Sequence, residues 1–384
     1  MLRFLTAGES HGPALTAIIE GLPAKLPVDV GIIDSMLARR QGGHGRGGRM
    51  QIETDRVEIT AGVRGGFTLG SPVCLNIKNK DWKNWQGIMS AAAEADTEKR
   101  VVRRPRPGHA DLSGSIKYGH KDMRNVLERS SARETAVRVA VGAVAEQLLG
   151  ELEIELAAHV VRVGEAAAEK LLPWEQLSAA AASPVYCADP HVSSQMVTAI
   201  DRAGAQGDTL GGVFEVRVKG LPVGLGSHVH WDRRLDGMLA QGLMSIQAIK
   251  GVEIGLGFES AMLPGSQVHD EIFHGPKRGI FRETNGAGGI EGGITNGEEL
   301  VVRAAMKPIP TLMQPLRSIN MDTKAAEDAA VERSDACAVP AASVVGEAVV
   351  AFTLAQSILE HFGGDDLETI KQRWQEWQQY LKSV

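Results

Sequence analysis

The chain has 384 residues, 43% of them hydrophobic but only 4% aromatic, with 44 glycines and a net charge of −6. That length and apolar content suffice for a large buried core, and three scattered cysteines (Cys74, Cys187, Cys337) exclude a disulfide framework and a cysteine metal site, as suits a reducing, cytoplasmic setting. No signal peptide and no apolar run long enough to span a membrane are expected, and the acidic balance argues against a general nucleic-acid binder.

The charge is uneven: residues 1–140 hold 22 Lys+Arg against 15 Asp+Glu, leaving 19 against 32 in the remainder. A basic first part inside an acidic protein fits a local pocket for a small, highly charged anion.

Taken in chain order, residues 1–7 read as a short strand that stops at Gly8-Glu9-Ser10-His11-Gly12-Pro13. The flanking glycines would let a ligand come close to a histidine able to exchange a proton near neutrality. The alternative is a turn whose Ser10 and His11 only satisfy backbone groups. Residues 39–50 follow, an Arg- and Gly-rich loop with Arg40, His44, Arg46 and Arg49 that is neither a P-loop nor a dinucleotide fingerprint. Its glycines suggest backbone N–H groups approaching an anion; a flexible loop or an RGG-like nucleic-acid segment are the other readings. A strand is predicted over 51–59. Residues 78–106, polar and carrying Trp82 and Trp85, look like a long excursion or lid. The Pro/Gly-braced loop 103–111 brings Arg106, His109 and Asp111, with His109 and Asp111 a candidate acid/base pair.

The strongest helix is predicted over 131–149, opened by a capping box of Ser131 and Glu134. Capping leaves Arg129, Ser130 and Arg133 unexplained, and a helix start with two hydroxyls and two guanidiniums suits a phosphate. Strands are predicted over 212–218, 251–258 and 299–306. His228, His230 and Asp232 mimic a metal set but lack a third ligand at usable spacing, so they read as structural or surface groups. Lys307-Pro308-Ile309-Pro310-Thr311 is a stiff basic loop, and 332–342 leads into a helix over 343–361 stopped by Gly363 and Gly364. A charged helix capped at 365–368 ends near 381. Strands and helices come in blocks without β-α alternation, which favours α+β with antiparallel sheets.

Taken together these segments resemble the chorismate synthase family, over the whole chain and in order. GESHGP at 8–13, the 39–50 loop, RPGHADL through RNVLERSSARET at 106–135, and ERSDACAVPAASVV at 332–345 carry the likeness. The pieces around 245–255, 288–297 and 306–312 match as well.

The resemblance implies one domain, 1–384, folded as a β-α-β sandwich with a helical layer between antiparallel sheets, and a homotetramer. It implies the last step of the shikimate pathway towards the aromatic amino acids. There, 5-enolpyruvylshikimate 3-phosphate loses phosphate and a ring proton in an anti-1,4-elimination, giving chorismate. Reduced FMN is required although no net redox change occurs. By the same resemblance Ser10, Arg40, Arg46, Arg49, Arg106, Ser130 and Arg133 face the substrate, Arg40 and Arg46 also corresponding to positions linked with a nicotinamide nucleotide. FMN is implied at Arg129, Ser130, Ser131, Gln247, Ala248, Gly292, Lys307, Pro308, Ile309, Pro310, Thr311 and Arg333. His11 is implied as the acid for the departing phosphate, His109 as the group that protonates or stabilises the reduced flavin, and Asp335 as the end of a proton relay. Electrons come either from NADPH or from an external flavin reductase. A non-catalytic flavin or phosphate binder is the competing reading, with no membrane or nucleic-acid partner in either case.

Overall fold

A computed structural model describes residues 1–47, 54–168, 171–276, 279–332 and 335–384. Two antiparallel sheets frame the described residues. The first has the strand order Arg3–Ala7, Ala14–Glu20, Val73–Lys78, Val57–Ala61. The second runs Ile249–Ile254, Leu300–Met306, Gly212–Lys219, Glu155–Val163, Ala166–Ala167. Alternation places Leu15, Ala17 and Ile19 on the buried face of one sheet and Phe214, Val216 and Val218 on that of the other.

Two helices fill the space beneath these faces. Thr135–Gly150 packs on strands of the first sheet, Val339–Phe362 on strands of the second, and the two helices pack on each other. Their approach is close because the residues between them are small. A Cβ at Gly142 would lie 2.3 Å from the Ala348 Cβ, and one at Gly346 would lie 2.2 Å from the Phe214 ring. One continuous apolar core joins residues from both sheets and both helices.

Several sequence expectations need correction. The Val339–Phe362 helix is, by length and composition, long and apolar enough to cross a bilayer, contrary to expectation, but 83% of its most apolar window is buried inside the protein. It also starts four residues earlier than expected, because Pro340 suits a first-turn position, where no backbone N–H is needed. The strand expected over 251–258 is Ile249–Ile254; Gly255, at φ +59, ends it and a 3₁₀ turn, Gly257–Met262, follows. Of the strand expected over 51–59, residues 51–53 lie outside the described residues, and the observed strand is Val57–Ala61. No capping box forms at 131–134. Ser131 caps a 3₁₀ turn, Ala132–Glu134, by accepting from Arg133 N, and the Glu134 carboxylate instead accepts from Thr6 Oγ1 (2.9 Å) and Gln247 Nε2 (3.3 Å). The helix proper therefore begins at Thr135.

Between the helices lies a charged group that the packing does not neutralise. Glu146 and Glu347, one from each helix, share Arg39, whose Nη2 is 2.8 Å from Glu347 Oε2. Glu146 Oε2 is buried and has no hydrogen-bond partner. Burial first, then the charge of Glu347, pushes the Glu146 carboxyl up to about 7, with Arg39 offsetting only part. A carboxyl raised in the folded state contributes stability while protonated; that contribution is complete below its unfolded value near 4.5 and is lost as pH rises through about 7. Glu146→Gln, always neutral, should therefore raise the urea stability at pH 8 by up to about 3 kcal/mol and change it little at pH 4. An equal change at both pH values would show that the carboxyl is not penalised.

Candidate active site

The turn after the first strand is built by contacts remote in sequence. Gly8 adopts φ +112, and a Cβ there would lie 2.4 Å from the Ala14 carbonyl oxygen. The chain's own return path thus demands this glycine, rather than an approaching ligand. Asn79 Nδ2 donates to the carbonyls of Gly12 (2.8 Å) and Glu9 (3.2 Å). Ser10 N donates to the Glu128 carbonyl at 3.0 Å. The Glu128 carboxylate accepts from His11 N at 2.8 Å and meets His11 Nδ1 at 2.9 and 3.0 Å. The imidazole stacks on Trp85, ring centroids 3.9 Å apart. Burial alone would raise the Glu128 carboxyl, but His11 and, after it, Arg124 hold it below the ordinary carboxylate value. The 78–106 excursion is therefore not a detached loop: a 3₁₀ turn, Lys80–Asn84, delivers Trp85 to the His11 ring.

A second cluster is cationic and dry. Arg40 is 4% exposed; its Nε donates to Thr135 Oγ1 (2.9 Å) and its Nη2 to the Ala132 carbonyl (3.0 Å). Among the described residues Arg40 Nη1 has no hydrogen bond, and Asp55 Oδ2 lies 3.6 Å from it. Arg133 donates through Nη1 to both Asp55 oxygens at 2.7 Å and through Nε to Asn79 Oδ1 at 2.9 Å. Arg46 Nη1 pairs with Asp335 Oδ2 at 2.6 Å, and Gly47 N donates to Asp335 Oδ1 at 2.6 Å. Burial lowers the Arg40 guanidinium to about 9; Asp55 resists, while Arg133 and Arg46 lower it further. Three guanidiniums thus lie close together beside two carboxylates, a setting chemically suited to an anion.

The fold brings the 39–47 loop onto the segment around Asp335. Ala336 N donates to the Gly45 carbonyl at 2.8 Å. Gly42, Gly43 and Gly45 are required by packing: a Cβ would meet Tyr186 Oη at 2.4 Å, Pro340 Cβ at 2.8 Å and Ile200 at 2.7 Å, respectively. Arg49 lies outside the described residues.

The third cluster joins two loops. Asp111 accepts from Arg106 Nε at 2.8 Å and Nη2 at 3.1 Å, and lies 2.5 Å from His109 Nδ1. Its burial would raise the carboxyl, yet the hydrogen bonds from His109 and Arg106 hold it far below the usual range. Arg106 Nη1 donates to Thr311 Oγ1 at 3.0 Å, and Lys307 Nζ donates to the Gly108 carbonyl at 2.6 Å. The basic loop Lys307, Pro308, Ile309, Pro310, Thr311 is thus fastened to the His109 loop, and the Ile309 carbonyl accepts from Thr209 Oγ1 at 2.8 Å.

Around the start of the Thr135–Gly150 helix, Arg129 donates to the Thr6 (2.9 Å) and Gly8 (3.2 Å) carbonyls. Ser131 Oγ donates to Ser10 Oγ at 3.2 Å, whereas Ser130 Oγ turns back to the Val126 carbonyl at 2.9 Å. Gln247 is held to Glu134 by its amide nitrogen, and its Oε1 is buried without a partner. Ala248 has φ +68, and its carbonyl accepts from Lys307 N at 3.0 Å. Gly292 sits apart, exposed in the turn between Ile290–Glu291 and Ile294–Thr295, where an added Cβ would meet nothing within 4 Å. Arg333 lies outside the described residues. His230 Nδ1 pairs with Asp232 at the surface, and no metal-holding cluster occurs among the described residues. The three cysteines are free thiols.

Sequence reasoning missed Asp55, Asn79, Trp85, Arg124 and Glu128. Contacts between residues remote in sequence reveal them, and no local pattern marks them.

Comparison with known proteins gives a consistent result. A family model described as chorismate synthase matches residues 2–359. A chorismate synthase of Moorella thermoacetica is 62% identical over 384 residues, covering 100% of both chains. One of Desulforudis audaxviator is 62% identical over 369 residues, covering 96% of this chain and 95% of that protein. A crystal structure of chorismate synthase superposes with a TM-score of 0.81 at 46% identity, covering 100% of this chain and 99% of that one.

Asp55→Asn keeps the side-chain volume and removes the charge that faces both Arg133 and Arg40. The substitution should cost about 3–5 kcal/mol of stability, read from urea denaturation, because it strands buried cations. A cost below about 1 kcal/mol would mean that the two guanidiniums are compensated without it.

Proposed function

The chain belongs to the chorismate synthase family, and from that premise we propose how its own residues carry the family's reaction. The activity is that of a lyase, EC 4.2.3.5, converting 5-enolpyruvylshikimate 3-phosphate to chorismate in the shikimate pathway, with the family's dependence on a reduced flavin. The observation that carries the proposal is the gathering of Arg40, Arg46 and Arg133 beside Asp55 and Asp335, with Arg40 and Arg133 buried. A substrate with two carboxylates and a phosphate suits such a cluster of guanidiniums. Ser10, Arg49, Arg106 and Ser130 complete the proposed substrate contacts, with Arg40 and Arg46 also open to a nicotinamide nucleotide.

The flavin proposed is FMN, held by Arg129, Ser130, Ser131, Gln247, Ala248, Gly292, the Lys307 to Thr311 loop and Arg333. One observation fits a planar group rich in N–H and C=O edges: the buried Gln247 Oε1, which has no hydrogen-bond partner among the described residues. Reduced FMN, when bound, supplies electron density as the phosphate leaves and recovers it with the ring hydrogen. In the proposed roles His11 gives its proton to the departing phosphate, and His109, backed by Asp111, holds a proton beside the cofactor. Asp335, steadied by Arg46 and Gly47, ends the proton relay. We further propose that residues 1–384 act as one unit in the sandwich arrangement, as a cytoplasmic homotetramer, with NADPH or a separate reductase as electron source.

The test is anaerobic turnover with dithionite-reduced FMN. Folded, FMN-saturated protein that does not turn over would leave only the non-catalytic binder. His11→Ala should bind FMN as the parent does and lose on the order of 10²–10⁴-fold in turnover. Near-normal turnover in that variant would remove His11 as the acid. NADPH oxidation with FMN alone distinguishes the two electron sources.

A further inference from the structure

Three groups converge on His11 that no sequence motif assigns. The Glu128 carboxylate, 2% exposed as a residue, grips the backbone N–H and Nδ1 of His11 together. Trp85 covers a face of the imidazole. Arg124 binds the same carboxylate, Nη1 to Oε1 at 3.0 Å. His11 Nε2 makes no hydrogen bond with any described residue. We propose that Glu128 is the positioning residue of the reaction: by accepting from His11 Nδ1 it fixes the ring so that Nε2 alone carries the transferable proton. The inference rests on the reading of His11 as the acid.

The chemistry follows from what each group can do. A carboxylate accepts and cannot donate, so Nδ1 must carry a hydrogen in the acid form and after transfer. As the carbon–oxygen bond breaks, its electron pair stays on the phosphate oxygen. The Nε2 proton moves to that oxygen, and His11 is left neutral with Nδ1–H still held by Glu128. Glu128 accepts throughout and remains a carboxylate. It is itself steadied by Arg124, so the reacting histidine does not lose its proton to the orienting group.

The charged groups around the pair come from every neighbouring segment. Arg124 and Glu128 belong to the Arg124–Ser130 helix. Glu332 meets Arg124 Nη2 at 3.5 Å, and Arg100 Cζ lies over the Trp85 ring, 4.1 Å from its centroid. Glu9 borders the turn beside Gly12. Among these, Glu128 alone hydrogen-bonds the imidazole.

The experiment compares Glu128→Gln, Glu128→Asp, His11→Ala and the double variant His11→Ala/Glu128→Gln, each with reduced FMN under anaerobic conditions. Glu128→Gln should lower kcat at least about 10-fold with KM changed less than about 3-fold. Glu128→Asp should recover part of the rate. The double variant should be no slower than His11→Ala, because the carboxylate acts only through the ring. Additive losses, or a Glu128→Gln rate within 2-fold of the parent while His11→Ala is slow, would overturn the inference. A fast His11→Ala would instead overturn the assignment of the acid. Should Glu128→Gln not fold, ¹⁵N-histidine NMR of the parent decides: Nδ1–H on His11 supports the inference, and a neutral Nε2–H tautomer overturns it.

Discussion

The burial of two guanidiniums around one carboxylate, Asp55, is the constraint on which the site depends. Asp55 is tied by its backbone N–H to Gln41 Oε1 (2.9 Å) at the end of the Val30–Gln41 helix, and it precedes the Val57–Ala61 strand. Its carboxylate holds Arg133 at the start of the Thr135–Gly150 helix and attracts Arg40 from the first helix. Three elements are thereby fixed to one point of negative charge. One carboxylate cannot neutralise two cations that burial has stripped of water. The guanidiniums that fix these elements to one another are also the groups proposed to hold an anion, so the fold and the proposed binding share the same atoms.

The two histidine–carboxylate pairs show what a sequence reveals and what it hides. His109 and Asp111 are two residues apart in a proline-braced loop, and their pairing was legible because the loop leaves them little freedom. His11 and Glu128 are 117 residues apart. No period or spacing links them, and Glu128 sits in a helix of ordinary composition. Asp55 and Asn79 were hidden for the same reason. The arginines stood out because their type and density are unusual, whereas their partners are single common residues whose importance is created by burial.

The fold divides in the same way. Strands such as Gly212–Lys219 and Leu300–Met306 were legible because alternation of apolar residues is a local property. Glycine roles were less so. Gly8, Gly42, Gly43 and Gly45 look like openings for a ligand in sequence, but backbone or side-chain atoms of the protein fill the space beside each. Gly142 and Gly346 sit inside helices, where glycine is locally unfavourable, and only the helix–helix and helix–sheet contacts explain them. A glycine's sequence context gives its conformational freedom and not the object that approaches it.

The run from Arg124 to Thr135 shows how one short segment reaches both the His11 turn and the arginine cluster. In a continuous helix Glu128, Ser131, Ala132 and Thr135 would share one face. Ser131 instead adopts φ −62, ψ 142, an extended break between the Arg124–Ser130 helix and the Ala132–Glu134 turn. Before the break, Glu128 and Arg129 turn to His11 and to the first strand. At the break Ser131 reaches Ser10. After it, Arg133 turns to Asp55 while Glu134 returns to Thr6 and Gln247. A capping box would have spent Glu134 on its own helix end and left Thr6 and Gln247 without that acceptor. The interrupted helix gives up one turn of regular hydrogen bonding, and in exchange neighbouring residues face different parts of the site.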